Sequence, residues 1–417
     1  MSSILTNNGA MVALQTLKSI NNDLSKTQNQ ISTGLEISSA ADNASLWAIS
    51  QVMEADVAGF EAVSSSLSLG ESTVAVGRAA AESVNELLVD IKEQIVLAQA
   101  PGADTDAIQT EIASLRDQVT SIVGAAQFNG QNLLSNTSTT AGEGTVEVLA
   151  SLNRDENGAV TTTDINVQKQ DLSQTDSAAG ATATTDYTVT AAGTPAANGG
   201  TGTYTLGFNT GVTEVAAQAS FELDLSSFDT TNNTSTATVQ YVARDGDTLA
   251  DVAAALSAAA NFQLESEGRA GETVLSASGN VITVTNNDDT AVTGALAAGD
   301  FTLTDDGTIG GGLEILGDID VSTTNGADAA SAAIDYLIET AVGAAADLGT
   351  SQSRMQIQND FISSLSDSLK SGIGALVDAN MEEASARLQA LQVQQQLAIQ
   401  SLSIANQAPQ NILSLFR

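Results

Sequence analysis

The two ends of this 417-residue chain carry heptad patterns, and these constrain its fold more than any other feature. Two rows run through the last forty residues: Met381, Leu388, Gln395 and Leu402, and, three residues further on, Ala384, Leu391, Ala398 and Ala405. Positions that alternate by three and four residues predict a helix that packs along another helix. Residues 385–417 contain no acidic residue and no glycine, and their only proline is Pro409, near the end.

A partner pattern occupies the first 35 residues. Its two rows are Leu17, Leu24 and Ile31, and Leu14, Asn21, Gln28 and Leu35. Both patterns mix aliphatic residues with alanine or amides, so each helical turn buries little apolar surface and the helices need partners along their length. The sequence predicts an interface at the apolar members of these rows: Leu14, Leu17, Leu24, Ile31, Leu35, Leu388, Leu391, Ala398, Leu402 and Ala405.

Periodicity leaves two interpretations of this interface open. In the first, the two terminal helices form an ordinary stem that closes one domain. In the second, they are polymerisation elements whose remaining apolar faces meet neighbouring subunits. Patterns diluted with polar residues fit helices that stay soluble alone and become ordered on assembly.

Charge separates the ends of the chain from its middle. The net charge of the whole chain is −37, whereas residues 1–35 carry +1, residues 384–417 carry +2 and residues 141–330 carry −23. The ends can therefore approach copies of themselves without strong repulsion, and the middle should face solvent. Nucleic acid and anionic membranes are poor partners for so acidic a chain. No apolar run reaches the length of a membrane-spanning helix.

The composition argues against an enzyme and against a bound cofactor. Histidine and cysteine are absent, which removes the commonest general base, metal ligand and thiol nucleophile. The acidic pairs Asp288-Asp289, Asp305-Asp306 and Asp245-Gly-Asp247 predict solvated acidic surface rather than a metal site, because no segment matches a calcium-binding loop. Gly310-Gly311-Gly312 lacks a following Lys-Ser/Thr, so a turn or linker is favoured over a phosphate loop. The first residues lack a secretory signal pattern, so export would need another route.

The segments together predict an α+β fold in three parts. These are a long α-helical terminal coiled coil (1–35 with 384–417), a helical rod (36–140 with 327–383) and an inserted β-rich outer region (141–326). In the rod we expect a helix over 43–99, capped by Ser38 or Ser39, and an interruption near Leu348. In the outer region we expect a helix from Thr248, and strands at 145–148, 221–225, 237–242, 281–285 and 301–304. Residues 170–200 look loosely ordered.

Several separate motifs resemble bacterial flagellins. They are Ile31-Ser-Thr-Gly-Leu-Glu-Ile-Ser-Ser-Ala-Ala-Asp-Asn-Ala44, Phe128-Asn-Gly-Gln-Asn-Leu-Leu134, Leu348-Gly-Thr-Ser-Gln-Ser-Arg-Met355, Val377-Asp-Ala-Asn-Met-Glu-Glu383 and the ending Ala408-Pro-Gln-Asn-Ile-Leu-Ser-Leu-Phe-Arg417. Trp47 and the sequence Ala40-Ala-Asp-Asn43 are similar to the alphaproteobacterial branch.

This resemblance implies a subunit of the flagellar filament that is secreted through the hollow flagellum. The terminal helices would line the inner tube, the rod would surround them and the acidic middle would project outward. The implied partners are copies of the chain itself, and further candidates are other flagellins, hook-junction and cap proteins and an export chaperone. A hook–filament junction protein and a secreted calcium-binding adhesin are the alternatives.

The resemblance also places a surface that an innate immune receptor reads in other flagellins. It corresponds here to Asp90, Lys92, Glu93 and Gln94. Asp90 and Gln94 stand where those flagellins have arginine and leucine. We therefore expect weak recognition by that receptor.

Overall fold

A computed structural model of the chain describes residues 7–155, 158–229, 235–269, 271–292 and 295–415. Seven α-helices lie in this part of the chain: α1 (Asn8–Thr33), α2 (Ala44–Ala98), α3 (Thr105–Ala125), α4 (Leu249–Ser266), α5 (Glu314–Asp318), α6 (Thr324–Val377) and α7 (Met381–Leu415). None of them combines the length and apolarity needed to cross a membrane.

Twelve strands lie in the same described residues. They are β1 (Gln127–Phe128), β2 (Gln131–Asn132), β3 (Thr145–Arg154), β4 (Val160–Gln168), β5 (Thr182–Ala183), β6 (Tyr187–Ala192), β7 (Gly200–Phe208), β8 (Ser220–Asp224), β9 (Thr238–Val242), β10 (Thr273–Ser278), β11 (Val281–Asn286) and β12 (Phe301–Asp305). All the pairings are antiparallel, with strand orders β1-β2, β3-β4, β10-β11-β7-β6 and β5-β12-β8-β9. The α+β class predicted from the sequence is confirmed.

Local signals in the sequence set the ends of the helices. The Asn7 side chain accepts a hydrogen bond from the Ala10 amide at the start of α1, and Gly34 ends α1 with a φ of 75°. The Thr248 hydroxyl and the Asp251 carboxylate form a reciprocal cap at the start of α4. The prediction of Ser38 or Ser39 as the cap of α2 is wrong. Asn43 Oδ1 accepts from the first amides of α2 instead.

The chain divides into two compact units. The first contains the terminal regions through Ser64 and from Asp360, and the second spans Ser65–Asn359. The boundary lies inside α2 and α6, so it does not coincide with the ends of any helix.

In the second unit, the β3–β4 hairpin packs on helices rather than on the other strands. A Cβ on Gly70 of α2 would lie 2.7 Å from Val148, and the Gln358 amide of α6 donates to the Ala150 carbonyl at 2.9 Å. The hairpin falls within the range 141–326 assigned to the outer region from sequence. The hairpin therefore contacts α2 and α6 directly.

Strands β6 to β12 and α4 enclose a separate core in the second unit. Its buried residues run from Tyr187 to Phe301 and include Tyr204 and Phe221, both fully buried. Tyr204 lies edge-on to Phe301, with ring centroids 5.1 Å apart, and its hydroxyl is bonded to Asp300. The chain has few aromatic residues, and several of them pack against one another in this core.

Two expectations from the sequence are corrected by the structure. Residues 187–192, inside the stretch expected to be loosely ordered, form β6, which pairs along its whole length with β7. Helix α6 continues through Leu348 without interruption. Leu348 is fully buried and lies 3.3 Å from a Cβ built on Gly77, so packing maintains the helix where the local sequence is weak.

Candidate assembly interface

Helices α1 and α7 of the first unit lie side by side and run in opposite directions. The Asn7 amide donates to the Ala405 carbonyl at 2.8 Å, and the Gln395 amide donates to Asn21 Oδ1 at 2.7 Å. Beyond the other end of α1, the Ala379 amide donates to the Gly34 carbonyl at 2.8 Å. The two ends of the chain therefore form one antiparallel helical pair.

The rows predicted for α7 coincide with the face that contacts α1. Its buried or half-buried residues alternate by four and three: Ala384, Leu388, Leu391, Gln395, Ala398, Leu402 and Ala405. Met381, at the first position of the helix, is 43% exposed. The heptad pattern of the last forty residues thus identifies one face of the helix.

On α1 the structure agrees with one predicted row and differs in the other. Leu17, Leu24 and Ile31 are half-buried, as the first row requires. Their companions are Ala13, Ile20 and Thr27, whereas Leu14 is 47% exposed and Asn21 and Gln28 are exposed. Leu35 lies past the end of α1, where it is bridged to Asp378.

The reason for this difference is geometric. On a helix, the residues three and four positions before a contact residue such as Leu17 both lie next to it, one on each side. The sequence offers leucine and amides on one side and small or branched residues on the other. Thr27 fits the buried side because its hydroxyl donates to the Asp23 carbonyl at 2.9 Å, which satisfies its polar atom within the helix.

A second row on α7 escaped the sequence reasoning. Its spacing also alternates by four and three. Each member lies two residues, or about 200° of helical rotation, beyond a residue of the face that contacts α1. We call this row the exposed stripe, because all its members are exposed: Ala386, Ala390, Val393, Leu397, Gln400 and Ile404. Its three large residues are 56%, 58% and 69% exposed. The signal was present in the sequence as a second heptad pattern beside the first.

Helix α1 adds exposed apolar surface near its start. Met11 is 62% exposed and Val12 is 64% exposed, next to Leu14. Helix α7 has no acidic residue after Glu383, and α1 has one, Asp23, so neither the exposed stripe nor these α1 residues lie on a strongly acidic helix. Exposed apolar rows of this kind are typical of surfaces that another protein molecule covers.

The connection from α1 to α2 is held by a carboxylate. Asp42 Oδ2 accepts from the Ser39 hydroxyl and amide at 3.0 and 3.2 Å, and Lys26 lies 4.0 Å from Asp42 Oδ1. The Ser39 hydroxyl is the main reason that the pKa of Asp42 lies below its usual value. The segment also bonds to the end of α6, since the Glu36 amide donates to the Val377 carbonyl at 2.7 Å.

The four residues of the predicted receptor-facing surface lie on α2 in the second unit. Asp90 and Glu93 are exposed, and Gln94 is half-buried. Lys92 Nζ is 2.5 Å from the Asp335 carboxylate on α6, so its charge is paired within the chain. The structure therefore presents an acidic face here.

An open cleft of about 730 Å³ lies in the second unit between α4 and α6. Its walls include Tyr241, Arg244 and Tyr336, together with seven carboxylates: Asp171, Asp247, Asp251, Glu314, Asp318, Glu339 and Asp347. Burial raises the pKa of Glu314 and of Asp318, with nearby carboxylates acting in the same direction. Within the described part of the chain, no three carboxylates converge closely enough to hold a metal ion.

Comparison with known families matches both ends of the chain. Residues 4–139 match the bacterial flagellin N-terminal helical region, and residues 331–416 match the bacterial flagellin C-terminal helical region. The two matches together cover more than half of the chain.

Whole proteins of similar sequence are flagellins. Flagellin A of Rhizobium meliloti (strain 1021) is 37% identical over 437 residues, and Flagellin B of Rhizobium meliloti is 36% identical over 420 residues. Both alignments cover 100% of this chain and 100% of the relative. Among solved structures, FliC from Burkholderia pseudomallei is 18% identical, with 68% of this chain and 99% of that chain covered and a TM-score of 0.31.

Proposed function

The chain belongs to the bacterial flagellin family, and on that premise we propose that its terminal helices are the surfaces through which it polymerises. It is a structural subunit that self-assembles into the flagellar filament, outside the cell. The junction-protein and adhesin alternatives are not favoured, because the whole-length relatives are flagellins. We further propose that it has no catalytic role and reaches the filament by export through the flagellum.

The observation that carries the polymerisation proposal is the two-sided helix α7. One face packs on α1 within the subunit, and the exposed stripe lies on the other side. Leaving Val393, Leu397 and Ile404 in water is unfavourable by about 25 cal/mol for each Å² of apolar surface. Covering them with a neighbouring subunit recovers that free energy, and the near-neutral charge of the terminal segments lets copies approach.

We propose the remaining organisation on the same basis. Residues 1–35 and 384–417 would form the filament core, 36–140 and 327–383 the surrounding rod, and 141–326 the solvent-facing region. The acidic middle, with its net charge of −23, favours an outward position in a crowded polymer. Other flagellins, hook-junction and cap proteins and an export chaperone are the further partners we propose.

Electron microscopy of the purified chain with filament seeds or a precipitating salt tests the polymerisation proposal. The full chain is compared with a truncation that lacks residues 384–417. We expect long filaments from the full chain and none from the truncation. Filaments from the truncated chain would contradict the proposed role of α7. A matching thermal transition of the second unit in both proteins controls for misfolding.

We also propose that the immune receptor recognises this chain weakly. Asp90 and Glu93 place negative charge on the corresponding face, and Lys92 is already paired with Asp335. Purified monomer should activate receptor-expressing cells poorly, and the double substitution Asp90→Arg and Gln94→Leu should increase activation. Strong activation by the unmodified monomer would overturn this proposal.

A further inference from the structure

The separate core of the second unit is joined to the helices by two chain segments, 169–178 on the way out and 306–313 on the way back. We call this pair of segments the neck. Ala178 and Thr308 exchange two backbone hydrogen bonds, of 3.1 and 2.8 Å. Further along, the Gly311 amide donates to the Thr175 carbonyl at 2.7 Å and the Leu313 amide donates to the Ser173 carbonyl at 3.0 Å. The two segments are therefore bonded to each other.

Three consecutive glycines allow this close approach of backbone to backbone. A Cβ on Gly311 would lie 1.9 Å from the Ser173 carbonyl oxygen, and one on Gly312 would lie 2.1 Å from the Asp171 carbonyl oxygen. A Cβ on Gly310 would lie 2.7 Å from that of Ser177. The triple-glycine motif, expected from sequence to be a turn or linker, is thus required by the pairing of the neck segments.

Arg244 reaches the neck from the core side, after the end of β9. Its Nε and Nη2 donate to the Gly310 carbonyl at 3.2 and 2.9 Å, and Nε lies 3.6 Å from Asp171 Oδ2. One guanidinium therefore contacts both neck segments at once. Its Nη1 donates to the Tyr241 hydroxyl at 2.7 Å, and that hydroxyl donates to Asp247 at 2.6 Å. Only 8% of Arg244 is exposed, so these contacts are shielded from water.

The next residue of the same turn, Asp245, is hydrogen-bonded to the base of the β3–β4 hairpin. The Asp245 carboxylate accepts from the amides of Gly142 and Gly144 at 2.9 and 2.7 Å. Its backbone carbonyl accepts from the Asn136 and Gln168 side-chain amides at 3.0 and 2.9 Å. The turn 244–247 thus bonds to three separate chain segments that lead to the helices.

We propose that the 244–247 turn is a fastener, with Arg244 as its central group, that holds the core of the second unit rigidly to its helices. The contacts are polar and directional, so they fix one arrangement rather than supplying most of the stability. None of the buried core residues belongs to the 244–247 turn, so we expect the core to stay folded when Arg244 is replaced. The expected consequence is a folded core that moves independently about an opened neck. In an assembled filament the fastener would set how rigidly this region is carried.

Amide hydrogen exchange of the full-length monomer, read by mass spectrometry, tests the proposal. In Arg244→Met we expect exchange to accelerate at least tenfold in peptides covering 170–178 and 306–313. Peptides covering β8 and β11 should exchange at the unmodified rate, because they report on the core. Equal acceleration in neck and core would overturn the proposal, since Arg244 would then be part of the core's own stability. Unchanged exchange in both would overturn it as well.

A second variant, with its own control, disrupts the neck within the 306–313 segment instead of at Arg244. Gly311→Ala forces a methyl group into the Ser173 carbonyl without touching Arg244 or the core. It should accelerate exchange in the same neck peptides and spare the core. Gly343→Ala is the matched control, because a Cβ there meets no atom within 4 Å. Opening by Gly311→Ala but not by Arg244→Met would show that the neck closes without the fastener and would overturn the assignment of Arg244.

Discussion

The terminal helical pair and the core of the second unit differ in how much of their apolar surface they bury within the chain. In the core, strands of two sheets and α4 together bury residues such as Tyr204 and Phe221, which have no exposed surface. In the terminal pair, α7 buries one face against α1 and leaves Leu397 and Ile404 more than half exposed. The first region buries its apolar residues within one chain, whereas the second leaves an apolar face exposed. Stability and, as we propose, assembly therefore depend on different residues of the same chain.

Intrinsic probes can follow the two regions separately. The chain has one tryptophan, Trp47, which lies in the first unit. All four tyrosines lie in the second unit, at positions 187, 204, 241 and 336. Tryptophan fluorescence and tyrosine near-ultraviolet circular dichroism therefore report on the terminal region and the second unit respectively.

The largest effect should come from emptying the closed core. Phe221→Ala removes a fully buried ring whose centroid lies 4.9 Å from that of Tyr187. We expect the free energy of unfolding measured by the tyrosine signal to fall by about 3–5 kcal/mol, because a cavity replaces the ring. The Trp47 transition should be unchanged. If both transitions fell together, the two regions would unfold as one cooperative unit and the comparison would fail.

A smaller loss should follow from the same kind of change in the terminal pair. Leu391 is 7% exposed and packs in the face of α7 that contacts α1. Leu391→Ala should lower the stability of the first unit by about 2 kcal/mol, at the low end for leucine truncation, because a two-helix contact can relax around the gap. Trp47 fluorescence and far-ultraviolet circular dichroism during urea unfolding measure it. A loss as large as that of Phe221→Ala would indicate that the terminal pair is as tightly closed as the core.

Substituting a residue of the exposed stripe should weaken polymerisation but leave the stability of the monomer nearly unchanged. In Leu397→Ser the monomer's unfolding free energy should change by less than about 0.5 kcal/mol, as is usual at exposed positions. The critical concentration for polymerisation, measured by sedimentation of filaments, should rise about tenfold, or about 1.4 kcal/mol.

Gln392→Ser is the matched control for Leu397→Ser. Gln392 is exposed on the same helix but lies on neither the contact face nor the exposed stripe. It should leave the critical concentration unchanged. Equal effects of the two substitutions would argue that solubility, rather than burial of the stripe, governs polymerisation.

The smallest expected effect is a difference between the two regions in how their stability depends on pH. Burial raises the pKa of Asp247 and of Glu265 in the second unit. Their folded state binds protons more readily than the unfolded state, so stability should increase as pH falls from 7 towards the unfolded pKa of a carboxylate. The pKa of Asp42 is lowered, so its contribution is present above that unfolded pKa and is lost as pH falls through the folded value.

Thermal unfolding at pH 7 and pH 5 measures this difference. The tyrosine transition should move to higher temperature at pH 5, and the Trp47 transition should respond to Asp42 only at more acidic pH. Glu265→Gln should reduce the gain in the tyrosine transition, because it removes one titrating group. A tyrosine transition that is less stable at pH 5 than at pH 7 would contradict the assigned direction.

Local sequence signals are enough to predict the helical parts and the face of α7 that meets α1. Its heptad spacing, Asn7 and Gly34 at the ends of α1 and the turn at Asn129-Gly130 are local signals that act over a few residues. Both glycine-dependent turns adopt positive φ angles where the sequence supplies a permissive residue. The motif resemblance to flagellins, confirmed by the family matches, rests on the same short segments.

Three features depend on long-range packing: which side of α1 contacts α7, where the β3–β4 hairpin packs, and that residues 187–192 form a strand. Leu14 and Ala13 both adjoin Leu17 on a helix, and packing against α7 selects Ala13. Residues 187–192 lie in a stretch rich in alanine, threonine and glycine, and they form β6 because β7 supplies hydrogen-bond partners along its whole length. Arg244 and Gly310 lie 66 residues apart in the sequence and meet at the neck. Long-range contacts of this kind leave no local periodicity, because their partners are set by the fold and not by neighbouring residues.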